Sequence, residues 1–110
     1  MQPFVWFHNH SDDPARARKF YEDLLGWHVG EGPPGMTLFG SDKGPCAALG
    51  PSEARTGWLP YVEVPDVSAA TTRAVELGAV LVQERTRGPA GEFAVVRDPG
   101  GAAVALWQKA

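Results

Sequence analysis

Apolar residues along this chain follow two different spacings, and the order in which those spacings occur repeats once. Residues 4–10 are rich in aromatic and β-branched side chains, which predicts a strand. Ala17, Phe20 and Leu24 then recur at helical spacing and predict one apolar helix face. Further strands are predicted at residues 27–30, 36–39 and 46–49, with a loop at 31–35 where two adjacent prolines lack backbone donors.

The second half predicts the same order of elements. A strand at residues 59–64 precedes a helix that places Val67, Ala70, Ala74 and Leu77 on one face. Strands follow at residues 80–83, 93–97 and 103–107, with a loop at 85–91 and a tight turn at Asp98–Gly101. Each half therefore reads as strand, helix, strand, strand, strand.

The boundaries of the two helices also correspond. Asp13 and Asp66 are predicted N-caps, and Pro14 suits the first helical position because its missing N–H would have no partner there. Gly26 and Gly78 are predicted to end the helices. This internal repeat predicts an α+β fold of two βαβββ modules. We expect one domain over residues 1–110, with modules at about 3–50 and 58–108 and a linker at 51–57.

Composition narrows the class of protein. The chain has 110 residues, a net charge of −3 and no run of Lys or Arg, which argues against a nucleic-acid surface. Its apolar runs are too short to span a bilayer, so we expect no membrane partner. The first residues lack the features of a signal peptide, and the single Cys46 cannot form an intrachain disulfide. We therefore expect a cytoplasmic protein.

Three segments carry a resemblance to a known family. They are the block Asp13–Gly26 with its Phe20-Tyr21 pair, the Val64-Pro-Asp66 entry to the second helix, and the closing run Arg97–Trp107. In this order the chain resembles the vicinal oxygen chelate superfamily, which includes glyoxalases, bleomycin-resistance proteins and extradiol dioxygenases. The resemblance covers essentially the whole chain. It implies a half-open mixed β-sheet barrel around a central cavity, and a homodimer.

The same resemblance implies where a divalent metal would be held in such enzymes. The family's ligand positions lie on the first and last strands of each module, and here they are occupied by Trp6, about Ala48, Leu59 and Ala105. None of the four side chains can bind a metal. The resemblance therefore predicts no cofactor, with a divalent metal possible but not favoured.

The same strands also offer a displaced candidate site. Trp6, His8 and His10 alternate on one strand and so share one side, as Leu59, Tyr61 and Glu63 do on the other. His8, His10 and Glu63 are the candidate catalytic residues. They suit either a Zn²⁺ or Fe²⁺ site or metal-free acid–base catalysis, or they are polar groups at a wet cavity mouth.

Small alanines beside large aromatics on the same face favour a pocket for an aromatic or drug-like ligand. The candidate ligand-binding residues are Trp6, His8, His10, Leu59, Tyr61, Glu63, Ala105 and Trp107. The sequence therefore predicts a metal-free small-molecule binder. The alternatives are a lyase, isomerase or dioxygenase type enzyme with the displaced site, and a non-catalytic partner subunit. These side chains could also simply fill the sheet interior.

Other residues have structural interpretations. Asp13 and Asp98 are expected to act as caps, and Cys46 is expected to be a small buried or half-buried filler. Phe20 and Leu24 are expected in the core, with Trp27 packing near them. Arg85 and Arg87 are expected in a loop that could reach a bound anion.

Overall fold

The structure is a computed structural model that describes residues 2–88 and 90–110. Its elements follow the predicted order. They are β1 (Phe4–Ser11), α1 (Pro14–Leu25), β2 (His28–Glu31), β3 (Thr37–Ser41), β4 (Gly44–Pro51), β5 (Gly57–Glu63), α2 (Val67–Glu76), β6 (Val80–Arg87), β7 (Gly91–Arg97) and β8 (Ala103–Lys109). The α+β class and the repeated βαβββ order are therefore confirmed.

The chain divides into two compact units, and each has the same internal topology. The first unit is Trp6–Leu59, and the second is Pro60–Ala110 together with the N-terminal residues up to Val5. In the first unit the strand order is β2-β3-β4-β1, and in the second it is β5-β8-β7-β6. The last strand of each unit pairs in parallel with its first strand, while the other pairs are antiparallel. Each unit is therefore a small mixed sheet with one helix.

Both helices begin where the sequence predicts. The side chain of Asp13 accepts a hydrogen bond from the backbone N–H of Arg16, and Asp66 accepts one from Ala69. Gly26 ends α1 with a left-handed φ of 66°, a conformation that costs glycine little because it has no Cβ. In α2 the cap is Leu77, one residue before the predicted Gly78.

Each helix covers one face of its sheet with few side chains. In the first unit the buried Phe39, Ala47 and Leu49 form the core, and four half-buried residues pack against it: Ala17, Tyr21, Trp27 and Val29. In the second unit the buried residues are Val64, Val67 and Ala94, with Ala70 and Leu106 packed against them. The predicted packing of Trp27 near the core is confirmed.

Two residues expected in the core lie outside it: Phe20 is 56% exposed and Leu24 is 62% exposed. Leu77, which was predicted to lie on the apolar face of α2, is also 62% exposed. Helical periodicity shows which face of the helix is apolar, but it does not show how much of that face the sheet covers. In α1 the sheet covers the centre of the apolar face, where Ala17 and Tyr21 lie, and leaves its edges exposed. Cys46 is exposed rather than a buried or half-buried filler.

The loop predicted at residues 85–91 is shorter in the structure. Strand β6 continues to Arg87, and both Arg85 and Arg87 form ion pairs with Glu92 on the adjacent β7. The strand extends because Thr86 and Arg87 pair in register with Phe93 and Glu92 of β7. Pro89, within the predicted loop, lies outside the described residues. The predicted turn is present, with the Asp98 carboxylate accepting from Gly100 and Ala102.

Across the described ranges, none of the helices has both the length and the apolar character needed to cross a membrane.

Candidate functional site

Strand β1 separates its side chains between two faces. Asn9 faces the helix: it is buried, and its side-chain amide donates to the hydroxyl of Tyr21 on α1 over 3.4 Å. Because neighbouring residues in a strand point to opposite sides, His8 and His10 lie on the face away from the helix, with Trp6. All three are half-buried. The predicted common face of these residues is therefore confirmed within the first unit.

The adjacent strand β4 places its smallest side chains beside the two histidines. His8 is in register with Ala48, and His10 is in register with Gly50. A Cβ atom added to Gly50 would lie 3.4 Å from Nε2 of His8, which is an ordinary van der Waals contact, so the His8 ring lies next to the Gly50 backbone. The histidine pair therefore lies beside a methyl group and a bare backbone.

The two imidazole rings stack on each other and are held neutral near pH 7. Their centroids are 4.4 Å apart with an interplanar angle of 24°. Burial, assisted by the nearby His10 and Arg55, lowers the pKa of His8 from 6.5 to about 4. Burial also lowers the pKa of His10, and Arg55 acts in the same direction. The exposed Glu53 and a backbone hydrogen bond with Pro51 oppose that shift.

The two ring nitrogens of His10 have different surroundings. Proline has no backbone N–H, so its backbone can only accept, and the His10 ring must be the donor. Within the described part of the chain, Nε2 of His10 is buried and has no hydrogen-bond partner. The ring therefore has a favourable backbone interaction with Pro51 and a buried Nε2 atom that lacks a partner.

The segment predicted as a linker folds back onto the end of β1. The Asp12 carboxylate accepts from the hydroxyls of Ser52 at 2.6 Å and Thr56 at 3.4 Å, and the Ser52 backbone N–H donates to the Ser11 carbonyl at 2.7 Å. Asp12 thus holds both ends of the loop that carries Glu53 and Arg55. The sequence analysis did not single out Asp12, Glu53 or Arg55. A clue was available, because Asp13 alone is sufficient as the helix cap and leaves the adjacent Asp12 without a predicted role.

The second unit places different side chains at the corresponding positions. Tyr61 is in register with Ala105, and Glu63 is in register with Trp107. These four residues share one face of the β5–β8 pair, as predicted. Tyr61 contacts Phe93 on β7 with ring centroids 5.6 Å apart. Leu59, which belongs to the first unit, is 1% exposed.

Two of the positions that the resemblance gives for the family's metal ligands correspond between the two units. Ala48 faces His8 in the first unit, and Ala105 faces Tyr61 in the second, so the two alanines are equivalent. A methyl group offers no lone pair, and neither Trp6 nor Leu59 supplies one in their place. The residues at these positions do not fit a metal ion.

Over residues 2–88 and 90–110, no three or more His, Cys, Asp or Glu side chains are grouped so that they could hold a metal ion. His8 and His10 belong to the first unit and Glu63 to the second. A shared site for these three residues stays a prediction.

A cavity of about 400 Å³ in the second unit includes one candidate residue. Its lining is Gln2, Glu63, Val64, Pro65, Gln108, Lys109 and Ala110. A second cavity of about 240 Å³ lies in the first unit, between β2, β3 and the start of β4, and His28, Phe39 and Pro45 are among its lining residues. Neither cavity is lined by His8 or His10.

Comparison with protein families identifies the scaffold. A model of the glyoxalase-like domain matches residues 6–107, which is nearly the whole chain. The chain belongs to the glyoxalase-like domain family. The predicted resemblance to the wider superfamily of glyoxalases, bleomycin-resistance proteins and dioxygenases is therefore confirmed.

Two relatives and one solved structure are similar over almost the full chain. The protein named "Putative glyoxylase CFP32" from Mycobacterium tuberculosis (strain CDC 1551 / Oshkosh) is 34% identical over 94% of this chain and 44% of its own length. The "Anthracycline biosynthesis protein DnrV" from Streptomyces peucetius is 32% identical over 96% of this chain and 46% of its own. The chain thus spans less than half the length of these relatives.

The solved structure is a glyoxalase/bleomycin resistance protein/dioxygenase superfamily member from Vibrio splendidus 12B01. It superposes with a TM-score of 0.70 at 20% identity and full coverage of both chains. At that identity the likeness shows the fold alone.

Proposed function

We propose that this glyoxalase-like chain binds a small aromatic or drug-like molecule and does so without the family's metal ion. The observation that carries the proposal is the side-chain content of the four family ligand positions, Trp6, Ala48, Leu59 and Ala105. An indole, an isobutyl group and two methyl groups suit apolar burial and cannot coordinate a cation.

The remaining side chains on the same strand faces suit such a ligand. Trp6 and Trp107 are half-buried, so each has ring surface available for contact. Neutral histidines and Glu63 provide a few polar groups for orientation, as small-molecule sites commonly do. The name of one relative, which assigns it to anthracycline biosynthesis, supports an aromatic ligand class. The same proposal includes two further expectations: that two copies of the chain form a homodimer, and that the protein is located in the cytoplasm.

An acid–base enzyme is a second candidate, because one specific observation favours it. Nε2 of His10 is buried and has no partner in the described residues, and an imidazole nitrogen without a partner is a candidate general base. In this alternative His10 acts on a bound substrate, with His8 and Glu63 as further candidates. A turnover assay on His10→Gln with any ligand that binds would separate catalysis from binding alone.

The proposal is tested by a fluorescence titration with an anthracycline as the probe. We expect saturable binding that also raises the melting temperature, because a ligand of the native state stabilises it. Trp6→Ala and Trp107→Ala should each weaken the affinity. Trp27→Phe, which changes a ring packed in the helix-side core, should not.

Metal content is measured on the same preparation, purified without chelator. We expect less than one first-row metal ion per chain and unchanged anthracycline affinity after chelation. A stoichiometric metal whose removal abolishes binding would contradict the proposal, as would the absence of saturable binding.

A further inference from the structure

The cavity of about 400 Å³ in the second unit has charged groups that the aromatic ligand does not explain. We propose that this cavity is a second ligand site, which takes a small zwitterion of the amino-acid type, with the ligand's ammonium group on Glu63 and its carboxylate on Lys109 and Gln108. The cavity lining includes neither Trp6 nor Trp107, the two aromatic residues on which the proposed function depends. The inference therefore goes beyond that function and does not rest on it.

The cavity is built from segments that hydrogen bonds hold in place. It lies where the parallel strands β5 and β8 end, next to the start of α2. The backbone N–H of Val64 donates to the Trp107 carbonyl at 2.8 Å. The backbone N–H of Val67 donates to Oε1 of Gln108 at 2.9 Å. The volume is within the range of small-molecule sites, about 300–1,000 Å³, and walls fixed in advance reduce the ordering cost of binding.

Glu63 supplies an available negative charge in this cavity. It is half-buried, and its carboxylate forms no ion pair or side-chain hydrogen bond with any other described residue. A carboxylate that has lost part of its hydration without gaining a partner costs free energy. A ligand ammonium group recovers that cost through a charge-assisted hydrogen bond, so Glu63 selects a cationic N–H donor.

Lys109 and Gln108 supply the opposite preference in the same lining. Lys109 is exposed, and within the ranges 2–88 and 90–110 its ammonium group has no ion-pair partner. The side-chain oxygen of Gln108 is already bonded to the N–H of Val67, so the amide NH₂ group remains as a donor. Glu63 repels a simple anion and Lys109 repels a simple cation, whereas both attract a ligand that carries both charges.

The spacing of the two charged residues suits a short ligand. Glu63 is in register with Trp107, and Lys109 lies two residues further along β8, on the same face. With neighbouring strands about 4.8 Å apart and a rise of about 3.3 Å per residue, the Cα atoms of Glu63 and Lys109 are roughly 8 Å apart. An α-amino acid, whose two charged groups share one carbon atom, can bridge such a pair. A short aliphatic side chain suits the apolar part of the lining: Val64, Pro65 and Ala110.

The test uses leucine and two analogues that each lack one of its charges. N-acetyl-leucine keeps the carboxylate without the ammonium group, and leucinamide keeps the ammonium group at pH 6.5 without the carboxylate. The backbone amide NMR signals of the full chain are followed during each titration. We expect saturable shifts around the cavity with leucine. Each analogue should bind roughly 10-fold more weakly, because one charged group of the site is left without a partner.

Two variants assign each protein charge to its ligand group. Glu63→Gln should no longer distinguish leucine from N-acetyl-leucine, and Lys109→Gln should no longer distinguish leucine from leucinamide. A purely structural effect of either substitution would weaken all three probes without removing one preference selectively. Glu84→Gln and Lys43→Gln make the same changes at exposed positions outside the cavity and should keep both preferences.

The possible outcomes also separate this site from the proposed function. Equal affinity for leucine and both analogues, or shifts that map away from the cavity, overturns the zwitterion site. Preferences that survive in both Glu63→Gln and Lys109→Gln overturn the assignment to these residues. Binding of the anthracycline without binding of leucine overturns the zwitterion site and leaves the proposed function standing, and the reverse result overturns the proposed function alone.

Discussion

The first unit packs its helix onto its sheet with aromatic rings, whereas the second unit uses aliphatic side chains at the corresponding place. Tyr21 of α1 stacks on Trp27 at 5.1 Å and meets Phe39 and Trp58 at 5.8 and 5.6 Å between ring centroids. In the second unit Val67 of α2 packs against Val64 and Ala94. The backbone order and the helix caps are the same in both units. A repeated scaffold therefore does not require a repeated core.

The opposite sheet faces differ in a second way. The first unit presents two neutral histidines beside Ala48 and Gly50, and the second presents Tyr61 and Glu63 beside Ala105 and Trp107. The register is equivalent, so the difference lies in the side chains alone. We infer that the functional groups of this chain are best sought where the two units differ.

The largest expected effect is the loss of an aromatic side chain from the first core. Phe39 is 1% exposed, and Phe39→Ala should lower the free energy of unfolding by about 3–5 kcal/mol. Val67 is also 1% exposed, but Val67→Ala removes fewer atoms and should cost about 2 kcal/mol. Urea denaturation measures both values.

Leu24→Ala, at a site 62% exposed, is the control and should change stability by less than about 0.5 kcal/mol. Equal losses at Phe39 and Val67 would contradict the contrast between the two cores.

A smaller loss is expected from the polar centre of the same aromatic cluster. The Tyr21 hydroxyl accepts from the indole N–H of Trp58 at 3.2 Å and from the Asn9 amide at 3.4 Å. Tyr21→Phe should cost about 1–3 kcal/mol, because the partly buried Asn9 amide loses its partner.

A double-mutant cycle identifies the cause of that loss. Trp58→Phe removes one of the two donors, so its effect and that of Tyr21→Phe should be less than additive, by about 0.5–1 kcal/mol. If the losses of unfolding free energy in the two single variants add up to the loss in the double variant, the Tyr21 hydroxyl does not link the ring of Trp58 to the helix. Urea denaturation measures the three losses.

Acidification should affect the histidine pair. The pKa of His8 is lowered from 6.5 in the unfolded chain to about 4 in the folded protein, and that of His10 is lowered too. The unfolded state therefore binds more protons than the folded state below pH 6.5. The stabilisation is fully present above that value and is lost as the pH falls towards 4.

Because the rings are only half-buried and partly screened, we expect a loss on the order of 1–2 kcal/mol for His8 between pH 7 and pH 4.5. Urea denaturation at several pH values measures it. His8→Gln should flatten this pH dependence, and His28→Gln should leave it unchanged. A pH dependence that is the same in all three proteins would show that the buried pair is not its source.

Much of the fold could be predicted because its signals are local. Asp13, Asp66 and Gly26 act on the helix termini beside them, and the Asp98 turn involves neighbouring residues only. Strand alternation also correctly grouped Trp6, His8 and His10. Burial depends instead on how far a sheet extends under a helix, and this is why the prediction of Phe20 and Leu24 as core residues was wrong.

Only part of the candidate site could be predicted, because its other part depends on contacts between residues far apart in the sequence. The histidines could be found from their spacing on one strand, whereas the loop that carries Arg55 is joined to the end of β1 by hydrogen bonds from Ser52 and Thr56 to Asp12, 40 and 44 residues apart along the chain. Contacts at such separations leave no periodic signal in a single sequence. The adjacent pair Asp12-Asp13 was a clue, since one aspartate is enough for a cap.

The smallest expected effects come from the two helix caps, and here the units should behave alike. Asp13 accepts from Arg16 N at 3.2 Å and Asp66 from Ala69 N at 3.0 Å, both at exposed sites. Asp13→Ala and Asp66→Ala should each cost about 1 kcal/mol in urea denaturation, and the Asn variants should restore most of it because the amide oxygen still accepts. A markedly larger loss at Asp13 would mean that the Ala variant also disturbs the neighbouring Asp12 and its loop. That result would be recognised by a simultaneous rise in the pKa of His10 in an NMR titration, since Arg55 would then move away from the ring. Equal losses with an unchanged histidine titration would show that the helix caps stabilise the two units equally. The difference between the units would then lie in the side chains of the two sheet faces.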